Sequence, residues 1–177
     1  MRRLTAIRRK AGELLERTQV DSPPVDLDAV ASSLGATIRY SPFDGELAGM
    51  LVRKDDEIVI GVNSLHHLNR QRFTIAHELG HLLLHEGNYI DRSFRVNMRD
   101  AQSSLGTNRE EIEANQFAAE LLMPFDDIKA DLLGHEIDVE DDEAIVSLAK
   151  RYRVSVQALN HRISNLMSDL LRPNKRG

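Results

Sequence analysis

Residues 73–85 read FTIAHELGHLLLH, and the rest of the chain is organised around this stretch. If it forms a helix, His77 and His81 lie about 6 Å apart on one face, where both imidazoles reach a single metal ion. Glu78 points about 100° away around the helix, so its carboxylate faces a water on the metal rather than the metal itself. These groups are the ones that zinc-assisted peptide hydrolysis requires, and Glu78 is the predicted catalytic base.

A helix of purely structural importance is the alternative interpretation of this motif. The flanking residues are apolar, among them Phe73, Ile75 and Leu79. Two imidazoles and a carboxylate are costly to bury in such surroundings without a partner. The sequence therefore favours a metal-binding helix, predicted to run from about Asn69 to about His85.

A catalytic zinc site generally has a third protein ligand, and the absence of cysteine leaves His, Asp or Glu for that role. His85 lies about 12 Å from His77 along the helix axis, so one ion cannot bind both of them together with His81. We expect His85 beside the site or at the surface. The third ligand is therefore sought in a later element.

A second helix supplies the candidates for this ligand. Thr107 followed by Glu110 is a capping-box pattern, which predicts that the helix begins near Asn108. Glu111 is the preferred ligand because it shares a face with small or amide side chains that allow close approach; the alternatives are Glu110 and Glu113. Asn115, one turn after Glu111, is predicted to hydrogen-bond a ligand imidazole.

The segment before the metal helix predicts helices followed by strands. Residues 2–18 have the periodicity of an amphipathic helix, and a short helix is expected between Asp26 as N-cap and Gly35. Residues 36–62 change to a strand period and predict a small antiparallel sheet. Such a sheet either binds an extended peptide along its edge or only covers the metal helix.

Two blocks of sequence carry a family resemblance, RFTIAHELGH at 72–81 and EIEANQFAAELLMP at 111–124. Together they resemble the ImmA/IrrE family of bacterial metallopeptidases. The resemblance implies a zincin-like fold, with His77, His81 and Glu111 holding zinc, or manganese in its place, and Glu78 as the base. It also implies a protein substrate, a helix-turn-helix repressor whose cleavage derepresses mobile-element or stress-response genes.

The last third of the chain is predicted to be a separate helical module. We place a metallopeptidase domain at 1–125 and a helix-turn-helix-like module at 126–177. Within the module, Ala149, Val154 and Leu159 are the expected core contacts, Ser155 is the expected cap, and Arg153 replaces the usual turn glycine. The candidates for contact with phosphate are Lys150, Arg151, Arg153 and Arg162, but the acidic segment before them argues against DNA binding.

The composition of the chain limits the classes of protein to which it can belong. The 177 residues carry a net charge of −5, with no apolar run long enough for a membrane span and no apolar segment behind the basic N-terminus that would make a signal peptide. We expect a cytoplasmic α+β protein with no membrane contact: a zincin-like domain whose small antiparallel sheet lies beside the metal helix, followed by the helical module.

Three functions compete on this evidence. The first is a zinc endopeptidase acting on a repressor, for which the candidate oxyanion donors are His85, Tyr89, Tyr152 and His161. The second is a metal-stabilised binding module that sequesters a repressor or binds DNA without hydrolysis. The third is a hydrolase of small amides on the same scaffold.

Overall fold

The computed structural model describes residues 2–19, 23–44, 47–54, 56–85, 104–134 and 141–170. Within these residues the chain is α+β, as predicted, with seven helices and three strands. The elements in chain order are α1 (Arg2–Thr18), α2 (Leu27–Ser33), β1 (Ala36–Ser41), β2 (Gly49–Lys54), β3 (Glu57–Asn63), α3 (Leu68–Leu84), α4 (Ser104–Leu122), α5 (Phe125–Gly134), α6 (Asp142–Tyr152) and α7 (Val156–Leu170).

The bounds of α2 follow from its capping residues. The Asp26 carboxylate accepts hydrogen bonds from the backbone N–H groups of Asp28 and Ala29, both at 3.0 Å. After the helix, Gly35 adopts a φ of +71°, a conformation that glycine takes without strain. Both ends of this helix are therefore encoded locally, and the sequence prediction for them is confirmed.

The sheet is mixed, so the prediction of an antiparallel sheet is wrong for one strand pair. The strand order is β1-β3-β2, with β3 antiparallel to β2 and parallel to β1. The connection over residues 42–48 is long enough to cross the width of β3, since neighbouring strands are about 4.8 Å apart. Asn63, at the end of β3, donates to the carbonyls of Phe43 and Leu47 in this connection and so holds the crossing in place.

Helix α3 has polar groups at both ends and a buried middle. His67 is its N-cap and accepts a hydrogen bond from the backbone N–H of Asn69 through Nδ1. At the other end the guanidinium of Arg53, on β2, donates to the carbonyls of His81 and Leu82 in the last turn and to that of His85, the C-cap. Every residue from Thr74 to His81 is buried.

Helices α3 and α4 pack closely because both present small residues at the contact. A Cβ atom added to Gly80 would lie 3.0 Å from the Cα and 3.1 Å from the carbonyl oxygen of Ala114. Helix α4 begins at Ser104, so Thr107 lies within the helix and the predicted capping box is wrong. The helix nevertheless carries Glu111 and Asn115 alongside α3.

The C-terminal helices α6 and α7 are joined by a short turn. Arg153 adopts the left-handed conformation, with a φ of 51°, that the sequence had put in doubt for a non-glycine residue. The Ser155 hydroxyl accepts a hydrogen bond from the backbone N–H of Ala158, and Ala149, Val154 and Leu159 are buried. In the described part of the chain, no helix is both long and apolar enough to cross a membrane.

Candidate metal centre

Two imidazoles of α3 face each other inside the protein. The Nε2 atoms of His77 and His81 are 3.0 Å apart, and the two residues are 4% and 1% exposed. The one-turn spacing of the two residues produces this pairing because it stacks their side chains on one face of the helix. Both ring nitrogens that the sequence assigned to a metal therefore point to the same place.

Glu111 completes a three-residue cluster with these histidines. Its Oε2 lies 3.2 Å from Nε2 of His77, and its Oε1 lies 3.2 Å from Nε2 of His81. Its side chain is 35% exposed, so the cluster opens to solvent on the α4 side. The structure thus brings together the three residues that the sequence proposed as ligands.

The spacing of the three donors fits a small divalent ion. Ligand atoms about 2.0–2.1 Å from a tetrahedral zinc ion lie roughly 3.3 Å from one another. The two Nε2 atoms are 3.0 Å apart, and each lies 3.2 Å from a different oxygen of Glu111, so these separations are close to that value. Two imidazole nitrogens with one carboxylate are also a donor set that zinc accepts in catalytic sites.

The electrostatics of the cluster keep Glu111 ionised. Burial by itself raises the pKa of this carboxyl, but hydrogen bonds with His77 and His81 and the charge of those rings outweigh burial and lower the pKa to about 2. A glutamate must be ionised to bind a metal ion. Glu111 is therefore ionised across the whole physiological range, as a metal ligand would have to be.

Asn115 orients the first imidazole. Its Oδ1 lies 3.0 Å from Nδ1 of His77, so it accepts a hydrogen bond when that nitrogen carries the proton. In the neutral ring, the form that binds a metal ion, this tautomer leaves Nε2 of His77 without a hydrogen, on the side of the cluster. The sequence had predicted such a contact between Asn115 and a ligand imidazole.

His85 and Glu113 lie next to the cluster but outside it. Nδ1 of His85 is 3.0 Å from Nδ1 of His81, and its Nε2 is 3.4 Å from Oε2 of Glu113. Burial lowers the pKa of His85, although the hydrogen bond to Glu113 acts in the opposite direction. Among the described residues the potential metal-binding group contains neither Glu110 nor Glu113, the two alternative ligands.

The Glu113 carboxylate has two cationic partners that sequence reasoning missed. Arg3, on α1, forms an ion pair with it, and Arg109 contacts it from the preceding turn of α4 at 3.2 Å. The second pair has an i,i+4 spacing that the sequence displays. The first joins residues 110 positions apart, and no local pattern indicates it.

Glu78 is 2% exposed, and its carboxylate lies close to the start of β2. A Cβ atom added to Gly49, the first residue of β2, would lie 3.5 Å from Oε1 of Glu78 and would overlap the side chain of Thr74. Only glycine allows the strand to approach α3 so closely. The candidate base therefore lies between the metal helix and β2.

Among the described residues, the remaining oxyanion donors that the sequence predicted do not lie in one place. Tyr89 lies outside the described residues, and His161 is exposed on α7. The hydroxyl of Tyr152 donates to Asp131 at 2.6 Å, and burial together with this contact raises the pKa of the tyrosine.

Two of the residues predicted to contact phosphate are engaged within the protein. The prediction is wrong for Arg162, because its side chain is buried against Glu120. Arg151 forms an ion pair with Asp131.

Comparison with known proteins yields a family and a fold. The model of the IrrE N-terminal-like domain, Peptidase_M78, matches residues 31–164. A solved structure of a Mycobacterium tuberculosis transcriptional regulator is similar with a TM-score of 0.58 at 18% identity, over 98% of this chain and 49% of that one. This chain thus spans about half the length of that regulator, and the likeness is one of fold. No curated protein matches the chain.

Proposed function

This chain belongs to the Peptidase_M78 family of IrrE N-terminal-like domains, and on that premise we propose that it is a zinc-dependent endopeptidase that cleaves a helix-turn-helix repressor. Cleavage would release the mobile-element or stress-response genes that the repressor controls. Manganese is the alternative metal. The site of action is the cluster formed by α3 and α4.

The observation that carries the proposal is the triangle of His77, His81 and Glu111. All three ligand atoms lie within 4.8 Å of one another. Asn115 holds His77 in the tautomer that metal binding requires. A divalent ion bound by these residues supplies Lewis-acid activation of water and of the scissile carbonyl.

Glu78 is the proposed general base. Glu78 follows His77 on α3, and the potential metal-binding group among the described residues does not include it, which supports a role towards the water and not as a ligand. As the water oxygen attacks the peptide carbonyl, Glu78 accepts a proton from that water and then gives it to the leaving nitrogen. The carboxylate is thereby regenerated, and the products are a free carboxylate and a free amine.

Strand β2 is the proposed docking edge for the substrate. It pairs with β3 on one side, and no other strand within the described ranges pairs with it. Gly49 brings the start of this strand against Glu78. An extended peptide added to that edge would pass the base with its backbone in register.

A regulatory protein as substrate is supported by the family and by the similar structure of a transcriptional regulator. The structure also supports the choice of a protein partner over DNA. Two of the four basic residues proposed for phosphate contact, Arg162 and Arg151, are engaged by Glu120 and Asp131 instead.

The metal centre is tested by the metal content of the purified protein after dialysis against zinc. We expect one equivalent of zinc in the wild type and in Glu110→Ala, and less than a tenth of an equivalent, to order of magnitude, in Glu111→Ala, since a catalytic site needs its three ligands. Zinc retained by Glu111→Ala but lost by Glu110→Ala would move the third ligand. No zinc in the wild type would reject the metal centre.

The peptidase activity is tested with zinc-loaded protein and purified helix-turn-helix repressors of the same organism, using mass spectrometry to locate a cut. Glu78→Gln is expected to keep its zinc and to lose about 10²–10⁴-fold in cleavage rate, the usual contribution of a general base. A Glu78→Gln variant that cleaves at the wild-type rate would contradict this role. Repressor binding without any cleavage by the zinc-loaded wild type would favour a sequestering module.

A further inference from the structure

We propose that His85 is a positioning residue for the metal centre: it accepts the Nδ1–H of His81, donates its own Nε2–H to Glu113, and so fixes His81 in its metal-binding tautomer. This inference rests on the proposed function because it concerns a ligand of the same site. It adds a second support to the centre, independent of Asn115. The contacts continue from His85 to Glu113 on α4, and from Glu113 to Arg3 on α1.

The direction of the first hydrogen bond follows from the geometry. The two Nδ1 atoms of His81 and His85 are 3.0 Å apart, so one of them carries the hydrogen and the other accepts it. Nε2 of His81 faces His77 and Glu111 and must be free of hydrogen to bind a metal ion. A neutral imidazole has one hydrogen, so it lies on Nδ1 of His81, and His85 is the acceptor.

The second hydrogen bond follows from the first. Since Nδ1 of His85 accepts, the hydrogen of the neutral His85 ring lies on Nε2. That nitrogen is 3.4 Å from Oε2 of Glu113, a group that only accepts when ionised. Both imidazoles are buried, His85 at 8% exposure, so water does not readily replace either partner in these hydrogen bonds.

Glu113 is itself held by charge. Arg109 contacts its Oε1 at 3.2 Å, and Arg3 contacts both of its oxygens. These two guanidinium groups fix the position of the carboxylate, whose Oε2 faces Nε2 of His85. Arg3 lies on α1, outside the residues 31–164 that match the family model.

Replacement of His85 separates the role of acceptor from that of packing. His85→Leu fills the site but cannot accept a hydrogen bond. His85→Asn places an amide oxygen near the position of the missing Nδ1 and can accept, as Asn115 does for His77. His66→Leu is the matched control, because His66 lies at the opposite end of α3, before the helix begins.

The measurement is the zinc Kd of each full-length protein by competition with a chromophoric chelator. We expect His85→Leu to weaken zinc binding about 10–100-fold, the usual effect of removing a partner of a ligand histidine. His85→Asn should recover most of the loss, and His66→Leu should match the wild type. The visible bands of the cobalt-substituted protein should change in His85→Leu and be retained in His85→Asn, because they report the orientation of His81.

Each other outcome overturns the proposal in a recognisable way. Equal affinities for His85→Leu and the wild type would show that His81 needs no such support. An equal loss in His85→Leu and His85→Asn would assign His85 to packing alone; urea unfolding of the metal-free variants would show the accompanying loss of stability. A wild type that binds no zinc would reject the metal centre itself, and this inference with it.

Discussion

At the scale of single residues, His77 and His81 have the same proposed role, as metal ligands, but are contacted by different side chains. An amide oxygen of Asn115 faces Nδ1 of His77, whereas a second imidazole, that of His85, faces Nδ1 of His81. The amide group has no titratable proton, while the His85 ring depends on Glu113 for its own orientation. On the proposed function, side chains that do not touch the metal themselves would therefore orient its ligands.

A dependence of stability on pH follows from Glu111. Its folded pKa, about 2, is below the ordinary value of 4.5, so the unfolded chain takes up the proton first as the pH falls. The ionised carboxylate thus stabilises the metal-free fold above pH 4.5, and this contribution is lost as the pH falls towards 2. Solvent screening keeps the effect small, because the side chain is 35% exposed.

Urea unfolding of metal-free wild type and Glu111→Gln at about pH 6 and about pH 3.5 measures this contribution. The wild type should exceed the variant in free energy of unfolding at the higher pH, and the difference should narrow at the lower pH. Glu110→Gln serves as the control. A difference independent of pH would mean that Glu111 has an ordinary pKa in the folded protein.

At the scale of elements, the site depends on how closely α3 is approached by its neighbours. Gly80 lets α4 come near enough for Glu111 to reach the imidazoles, and Gly49 lets β2 lie against Glu78. The guanidinium of Arg53 ties the end of α3 to the same strand. The proposed ligands, the proposed base and the proposed docking edge are thereby fixed relative to one another.

Gly80→Ala is expected to destabilise the protein. Alanine favours the helix by about 1 kcal/mol, but its methyl group would lie 3.0 Å from backbone atoms of Ala114, which have little room to move. Overpacking of this kind costs about 1–3 kcal/mol, so the net change should be a loss. The free energy of unfolding in urea and the zinc content should both decrease.

Gly12→Ala is the matched control for this substitution. Gly12 is also in the interior of a helix, α1, and an added Cβ there would meet no atom within 4 Å. This variant should gain up to about 1 kcal/mol from helix propensity alone. Equal gains at both positions would show that the contact between α3 and α4 is not tight.

At the scale of the whole molecule, buried charges join the two predicted domains. Arg162, on α7, donates to both carboxylate oxygens of Glu120 on α4, at 2.8 and 2.5 Å, and also to the carbonyl of Met123. Arg8, on α1, contacts the same Glu120. The division at residue 125 stays a prediction, but these contacts cross it.

Arg162→Met should lower the free energy of unfolding by about 3–5 kcal/mol, since it leaves Glu120 buried with less compensation. Arg9→Met is the control, because its ion pair with Glu13 is exposed and worth about 0–1 kcal/mol. In the wild type, circular dichroism of the whole chain and an environment-sensitive probe on α7 should report the same single urea transition. If α7 unfolded in a separate transition at lower urea, and if Arg162→Met left the free energy of unfolding unchanged, the C-terminal helices would fold independently.

The sequence by itself determined the features that depend on near neighbours. It predicted the bounds of α1, α2 and α3, the Asp26 cap and the pairing of His77 with His81, because caps and helical spacing act over a few residues. It also indicated the family, through two short blocks of sequence that lie on α3 and α4. The capping box at Thr107 failed because a local pattern does not exclude a helix that begins earlier.

Only the tertiary structure decided which distant residues meet. It paired β1 with β3 in parallel, turned Glu111 towards the imidazoles, and directed Glu113 to His85 and Arg3 instead. The periodicity of α4 offers several glutamates, and the choice among them depends on the rotation of α4 against α3 and on the contact at Gly80. These contacts join residues up to 110 positions apart, where packing of the whole chain, and no local propensity, sets the geometry.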